Sequence, residues 1–312
     1  MGERDENVAH TAEHAFVGAL QKILGKTLQV RKVEHKKDGS NTAFIAIPQL
    51  DVDTVVRAES LVNALIEEGR SVTTRIYSSL EEARSANPTL RANEARISGT
   101  VRVVDIAGHD VTACVKEHAG NLQECGFFMV IRLSKSGDEY EVDFAVGKQA
   151  KETAVLLSAK MMKVCSELGA NLNTVENTAR KVRMEGESAF KKLKALSREK
   201  LQSLAPTASG NIKVYSGAFS GLADEALQEF AGEKIVEPGI VVVLANAGGA
   251  DSAYFILARS EAVDLDCNKV FREAAGADGR GGGKPHFVTG VVKKEKAEEI
   301  IRKISDNVLR LT

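Results

Sequence analysis

Two short clusters carry the residues best suited to chemistry. The first is His10-Thr11-Ala12-Glu13-His14 and the second is Cys114-Val115-Lys116-Glu117-His118. Each places two metal-binding side chains with three residues between them. On a helix that spacing brings both to one face, about one turn apart. Neutral imidazole and thiolate are the donors that tetrahedral zinc accepts. Either pair alone reads equally well as polar residues with ordinary partners. Together His10, His14, Cys114 and His118 make a complete donor set. All four bound would close a structural Zn2+ site, whereas three would leave a position open for catalysis. The candidate catalytic residues flank these donors. Thr11 either caps its helix or offers a hydroxyl to a substrate. Glu13 and Glu117 are each either a general base or a solvated charge.

The elements that must position these residues can be read from periodicity. Phe16, Val17, Leu20, Ile23 and Leu24 recur at helical spacing, so residues 5–24 are expected to form a helix that stops at Gly25. Residues 26–47 alternate as a hairpin turning at Asp38-Gly39-Ser40-Asn41, and they carry Lys32, His35, Lys36 and Lys37. An amphipathic helix is expected over 51–69, a strand over 72–77, a helical turn over 80–85 and a strand over 101–106. The turn Ala107-Gly108-His109-Asp110 then puts Cys114 at a strand end or on the following loop. A further hairpin, 127–133 with 140–146, completes an α+β domain with a mostly antiparallel sheet over residues 1–148.

Residues 149–205 lack strand signals and proline, and read as a helical hairpin spacer broken near Gly169-Ala170-Asn171. Pro206 to Gly210 reads as a linker. Residues 206–312 read as a small α/β domain, with strands near 212–215, 239–245 and 252–258 and helices near 222–231, 267–275 and 294–309. Between the last two helices lies the loop Gly276 to His286. It holds Gly281, Gly282 and Gly283 between Arg280 and Lys284. Exposed backbone N–H groups beside positive charge suit a phosphate backbone, and a passive turn suits the same residues.

Composition narrows the classes. Over 312 residues the formal net charge is −1, so any RNA-binding surface must be a local patch. Four cysteines without a disulfide framework, and a polar acidic start, point to a reducing cytoplasm. No apolar stretch is long enough to span a bilayer, so no membrane partner is expected. Apolar stripes on the spacer and final helices are compatible with a homodimer.

Here the residues meet a known pattern. His10-Thr11-Ala12-Glu13-His14-Ala15-Phe16 resembles the HTxxHL opening of the alanyl-tRNA synthetase editing domain and of its free-standing AlaX-type trans-editing relatives. Val101 to Ile106 followed by Cys114-x-x-x-His118 resembles that family's VRVVxI … CGGTH segment. Glu124-Cys125-Gly126-Phe127-Phe128 parallels its GEIGLF. Gly281-Gly282-Gly283-Lys284-Pro285 is similar to the GGGRPD segment of the synthetase C-terminal domain. The order matches over nearly the whole chain: antiparallel-sheet editing domain, helical spacer, glycine-rich C-terminal domain. Val115 and Lys116 replace the two glycines of CGGTH, and His286 replaces the aspartate after Arg-Pro.

The resemblance implies a zinc-dependent hydrolase that removes serine or glycine from the aminoacylated 3′ end of tRNA for alanine, acting in trans. Zinc would either orient the aminoacyl end or lower the pKa of a water toward about 7. Lys32, Lys36, Arg280, Gly281, Gly282, Gly283 and Lys284 would then contact RNA. The alternative is a non-catalytic tRNA-binding or dimerisation paralogue of the synthetase editing and C-terminal domains, motivated by the altered Cys-Val-Lys-Glu-His motif.

Overall fold

A computed structural model describes residues 3–35, 40–92, 97, 99–249 and 251–310. Lys36 and Lys37 therefore lie outside the described residues. In chain order the helices are α1 Glu3–Leu24, α2 Val52–Glu67, α3 Leu80–Ala86, α4 Gly147–Leu168, α5 Val175–Gln202, α6 Asp224–Lys234, α7 Cys267–Ala275 and α8 Ala297–Leu309. The strands are β1 Gln29–His35, β2 Asn41–Ala46, β3 Val72–Tyr77, β4 Val101–Ile106, β5 Asp110–Ala113, β6 Phe128–Ser136, β7 Glu139–Val146, β8 Thr207–Ser209, β9 Ile212–Ser220, β10 Ile240–Ala247, β11 Ser252–Arg259, β12 Gly279–Lys284 and β13 Phe287–Lys293. The class is α+β with largely antiparallel sheets. Two compact units divide the chain, Met1–Leu172 and Asn173–Thr312, so the two helices expected in the spacer fall in different units.

The first unit is built around α1. Every residue from Ala9 to Leu20 is buried, so this helix is enclosed on all sides rather than along one stripe. Small residues (Ala12, Ala15, Gly18, Ala19) let neighbouring elements approach it. Phe16 fills the space toward the antiparallel sheet β1-β2-β7-β6, with its ring 5.1 Å from that of Phe128, which lies 5.4 Å from Phe144. Helix α2 covers the same core with Val55, Val62, Leu65 and Ile66. It begins where Asp51 accepts the Thr54 N–H, an N-cap that satisfies one of the helix's free donors. A second antiparallel sheet, β3-β4-β5, turns Val104 and Ile106 into this core and Val101 and Val103 toward α3. The α3 start is a reciprocal cap. Ser79 accepts the Glu82 N–H and Glu82 accepts the Ser78 N–H.

The second unit holds one sheet, β12-β13-β11-β10-β9-β8, in which only β9 and β10 run parallel. The run Ile240 to Ala245 is apolar throughout because β10 is buried on both faces. Val241, Val243 and Ala245 meet the α7 and α8 side, while Val242 and Leu244 meet α6 and Leu201 of α5.

Two sequence expectations change here. The expected linker contains β8, which pairs with β9 through Thr207 to Ser209. The expected glycine loop is strand β12, paired with β13 from Gly279 to Lys284. The reason is close approach. A Cβ on Gly281 would lie 2.5 Å from the Thr289 carbonyl oxygen and 2.6 Å from the Gly290 Cα. One on Gly283 would lie 2.2 Å from the Phe287 oxygen. The glycines are required by the strand pair and by Phe271 beneath it, so their flexibility is not exposed as a loop.

Candidate metal centre

Helix α1 presents His10 and His14 from its buried middle stretch, Ala9 to Leu20, and β5 ends directly before Cys114. The Cys114 N–H donates to the Arg102 carbonyl of β4 at 3.0 Å, which fixes where the chain leaves the sheet. Residues 115–118 are not helical, so Cys114 and His118 are brought together by the loop rather than by one helix face. The four donor atoms of His10, His14, Cys114 and His118 lie within 4.8 Å of one another. His10 Nε2 is 3.2 Å from Cys114 Sγ and 3.2 Å from His14 Nε2. A tetrahedron of nitrogen donors about zinc has edges of roughly 3.3 Å. The set could hold a metal ion.

The protonation of these residues favours the same reading. Thr11 Oγ donates to the Asn7 carbonyl at 2.7 Å and accepts the Ala119 N–H at 3.0 Å. With its one proton used, it can only accept from His118 Nδ1, 3.2 Å away. His118 is thereby held with its proton on Nδ1. Its buried Nε2 has no hydrogen-bond partner and keeps a free lone pair. Burial and the positive charge of Arg102 push the His118 pKa down to about 4. Burial, then Arg91, pushes His14 well below its ordinary value. Both imidazoles are thus in the neutral, ligating form at neutral pH. Burial pushes the Cys114 thiol up, and a bound cation would reverse that by stabilising the thiolate.

Thr11 is fully buried and its hydrogen bonds are filled by protein, so it braces the His118 loop. Glu13 is not solvated, contrary to one expectation for it: it is 2% exposed. Its Oε2 lies 3.6 Å from His10 Nδ1 and 3.7 Å from His14 Nε2. Burial raises its pKa to about 7 against the opposing pull of Arg91. Glu117 points elsewhere. Arg102 grips it through both carboxylate oxygens at 2.6 and 2.9 Å. Cys125 is a buried core residue whose Sγ faces the Val8 carbonyl.

A cavity of about 580 Å³ opens beside the cluster, and His10, Glu13, His14 and Cys114 line it. Basic residues at its wall include Arg31, Lys32, Arg91, Arg102 and Lys116. Lys32 sits 4.3 Å from the Phe44 ring centre and pairs with Glu34. Arg280 and Lys284 belong to the other unit, on the edge strand β12, and are exposed.

Sequence reasoning missed a second buried set. Arg91 donates to Asp110 Oδ2 at 2.9 Å, Thr112 donates to the same oxygen, and that oxygen is 3.9 Å from His14 Nδ1. Asp110 read as a turn residue, and Arg91 lies in a stretch with no periodicity. A buried carboxylate and guanidinium close to a candidate ligand could not be inferred from spacing alone.

No protein-family model matches the chain. Curated relatives include the alanine–tRNA ligase of Methanococcus vannielii, 21% identical over 310 residues, covering 96% of this chain and 33% of that protein. The alanine–tRNA ligase of Thermococcus kodakarensis is 27% identical over 307 residues, covering 95% of this chain and 32% of that protein. The chain thus spans about a third of the length of the curated relatives it matches. Among solved structures, the C-Ala domain of Aquifex aeolicus alanyl-tRNA synthetase is 22% identical and covers 34% of this chain and 98% of that domain, with a TM-score of 0.31. RecJ from Thermus thermophilus, in complex with Mg2+, is 10% identical and covers 45% of this chain and 21% of its own, with a TM-score of 0.30. Overlaps this loose do not fix a shared architecture. The sequence relationship does hold from end to end: over nearly its whole length the chain is a homologue of alanyl-tRNA synthetases.

Proposed function

We propose that the protein hydrolyses the ester of mischarged aminoacyl-tRNA in trans, with serine or glycine on tRNA for alanine as substrate and Zn2+ held by His10, His14, Cys114 and His118. The observation that carries this reading is the convergence of those four donors, three of which (His10, His14 and Cys114) line a cavity of about 580 Å³, in a homologue of alanine–tRNA ligases. Zinc there supplies Lewis acidity toward an ester carbonyl or a water. The protein's own part is positional. Thr11 fixes the His118 ring, β5 delivers Cys114, and Asp110 stands behind His14. Lys32, Arg102 and Lys116 stand on the cavity wall, each beside a carboxylate (Glu34, Glu117 and Glu6) that a tRNA 3′ end would have to displace or share, an interaction that weakens with salt. Arg280 and Lys284 add a second RNA-facing element in the other unit. The domain division 1–148, 149–205 and 206–312 and a cytoplasmic location belong to the same proposal. So does a homodimer through the helical spacer or the C-terminal domain, the spacer option supported by exposed Leu156 and Met162 on α4 and Met184 and Leu196 on α5.

One observation favours a second reading, tRNA binding without hydrolysis. Val115 and Lys116 stand where the synthetase motif has glycines. Val115 is 88% exposed, and Lys116 crosses to Glu6 at 3.6 Å. Side chains there narrow the approach that bare backbone would leave open. The deciding experiment measures metal content and deacylation of seryl-tRNA for alanine on one preparation. Stoichiometric zinc with steady release of serine is expected. A zinc-loaded protein that leaves the ester intact refutes the hydrolase and leaves the binding reading.

A further inference from the structure

Glu13 is a side chain that neither the fold nor the donor set explains. It is buried at 2% exposure, yet no protein group among the described residues hydrogen-bonds its carboxylate. Its nearest polar neighbours are His10 and His14, at 3.6 and 3.7 Å, beyond hydrogen-bond reach. Of the nearby cations, Arg91 bonds Asp110 at 2.9 Å and Lys116 reaches Glu6 at 3.6 Å; both act on Glu13 through space without forming an ion pair with it. A buried carboxylate without donors costs several kcal/mol, and a core position of this kind is normally apolar. Glu13 instead lines the cavity beside the four donors. It is therefore an acceptor facing the space a ligand would occupy, with its protein partners missing from its own side.

We infer that Glu13 binds the α-ammonium group of the ligand, so that the cavity selects acyl groups carrying a free amine next to the carbonyl. The inference deepens the hydrolase reading and rests on it for the identity of the acyl ester. The distances set the class. In an α-amino ester the nitrogen and the carbonyl carbon are separated by a single carbon. A carboxylate under 4 Å from His10 Nδ1 and from the candidate ligand nitrogen His14 Nε2 can hold that ammonium while the carbonyl faces the donor cluster. A longer amine would carry the carbonyl past the cluster. An N-acylated amine has no charge for Glu13 to meet. The selectivity that follows is for α-aminoacyl groups over N-acetylated, hydroxyacyl and β-aminoacyl analogues.

The test uses the full chain loaded with zinc and two non-hydrolysable probes, 3′-serylamino-3′-deoxyadenosine and its N-acetyl derivative, with binding measured by calorimetry. A charge-assisted hydrogen bond predicts that the free amine binds roughly ten- to a hundred-fold more tightly. The Glu13→Gln protein should retain its zinc and lose most of that ratio, while Glu13→Asp should keep part of it. Equal affinity of the wild-type protein for the two probes, or no binding of either, overturns the inference without any variant having to fold. A Glu13→Gln protein that keeps both zinc and the full ratio overturns it as well. Hydrolysis separates this from the parent reading. Wild-type protein that discriminates between the probes but spares seryl-tRNA keeps the anchor and loses the hydrolase. Protein that cleaves seryl- and N-acetylseryl-tRNA equally keeps the hydrolase and loses the anchor.

Discussion

Two helix-interior glycines should respond to the same substitution with opposite sign. Replacing glycine by alanine inside a helix ordinarily stabilises by about 1 kcal/mol, through a smaller loss of backbone freedom. Gly186 in α5 has nothing within 4 Å of its would-be Cβ, so Gly186→Ala should show that gain. Gly18 in α1 differs. Its Cβ would lie 2.8 Å from Asp110 Cβ, 3.0 Å from His109 Nε2 and 3.3 Å from Asp110 Cγ. Asp110 cannot withdraw freely, because Arg91 and Thr112 hold its carboxylate and its backbone is paired with Ile106. His109 is held too, with Nε2 donating to the Ala15 carbonyl at 2.7 Å. Overpacking of this kind costs about 1–3 kcal/mol, which outweighs the helical gain and leaves a net loss of about 1 kcal/mol. For a unit of this size the melting temperature should fall by about 2–4 °C, and zinc affinity should fall with it as Asp110 shifts behind His14. Thermal unfolding followed by circular dichroism, with and without zinc, reads both effects for the two variants side by side. A Gly18→Ala protein as stable as Gly186→Ala, with undiminished zinc affinity, would refute the packing argument.

Chelation should lower the melting temperature of the first unit, since zinc at a hundredfold excess over its Kd contributes about 2.7 kcal/mol; His14→Ala should erase the difference, and a chelator-insensitive wild type would remove the metal from the account. Thr11→Val keeps the shape of residue 11 but strands the Ala119 N–H and frees His118 to turn, so zinc affinity should drop about 10- to 100-fold in a competition titration. Phe16→Ala should cost about 3–5 kcal/mol in denaturant unfolding, because it empties the ring stack above Phe128. If β12 faces RNA, Arg280→Ala and Lys284→Ala should each reduce the slope of log affinity against log salt by about one without altering melting temperature; an unchanged slope argues against contact.

Much of the architecture could be read from period alone. The buried run Ile240 to Ala245, the apolar face of α2 and the paired hairpins all follow from side-chain spacing, and the two donor pairs could be picked out by residue type. Three things could not. The glycine segment has the composition of a loop, and only the partner strand's proximity makes it a strand. Glu13 has the composition of a helix surface, but α1 has no surface between Ala9 and Leu20. Arg91 and Asp110 act through space on His14, across a gap in sequence that leaves no periodic trace.

The wide spacing of the donors bears on how the chain would acquire the proposed metal. His10 and Cys114 are 104 positions apart, and each end of that span supplies only two donors. A half-made or misfolded chain therefore offers a pair of imidazoles, or a thiol and an imidazole, and would bind zinc only weakly at either. Four-donor affinity appears only when α1 has docked beneath the β5 loop, a contact of long sequence separation that forms late relative to local helix and hairpin formation. On the zinc reading, metal uptake should thus lag behind secondary structure during refolding, and the amount of tightly held zinc should count the molecules in which the first unit has closed.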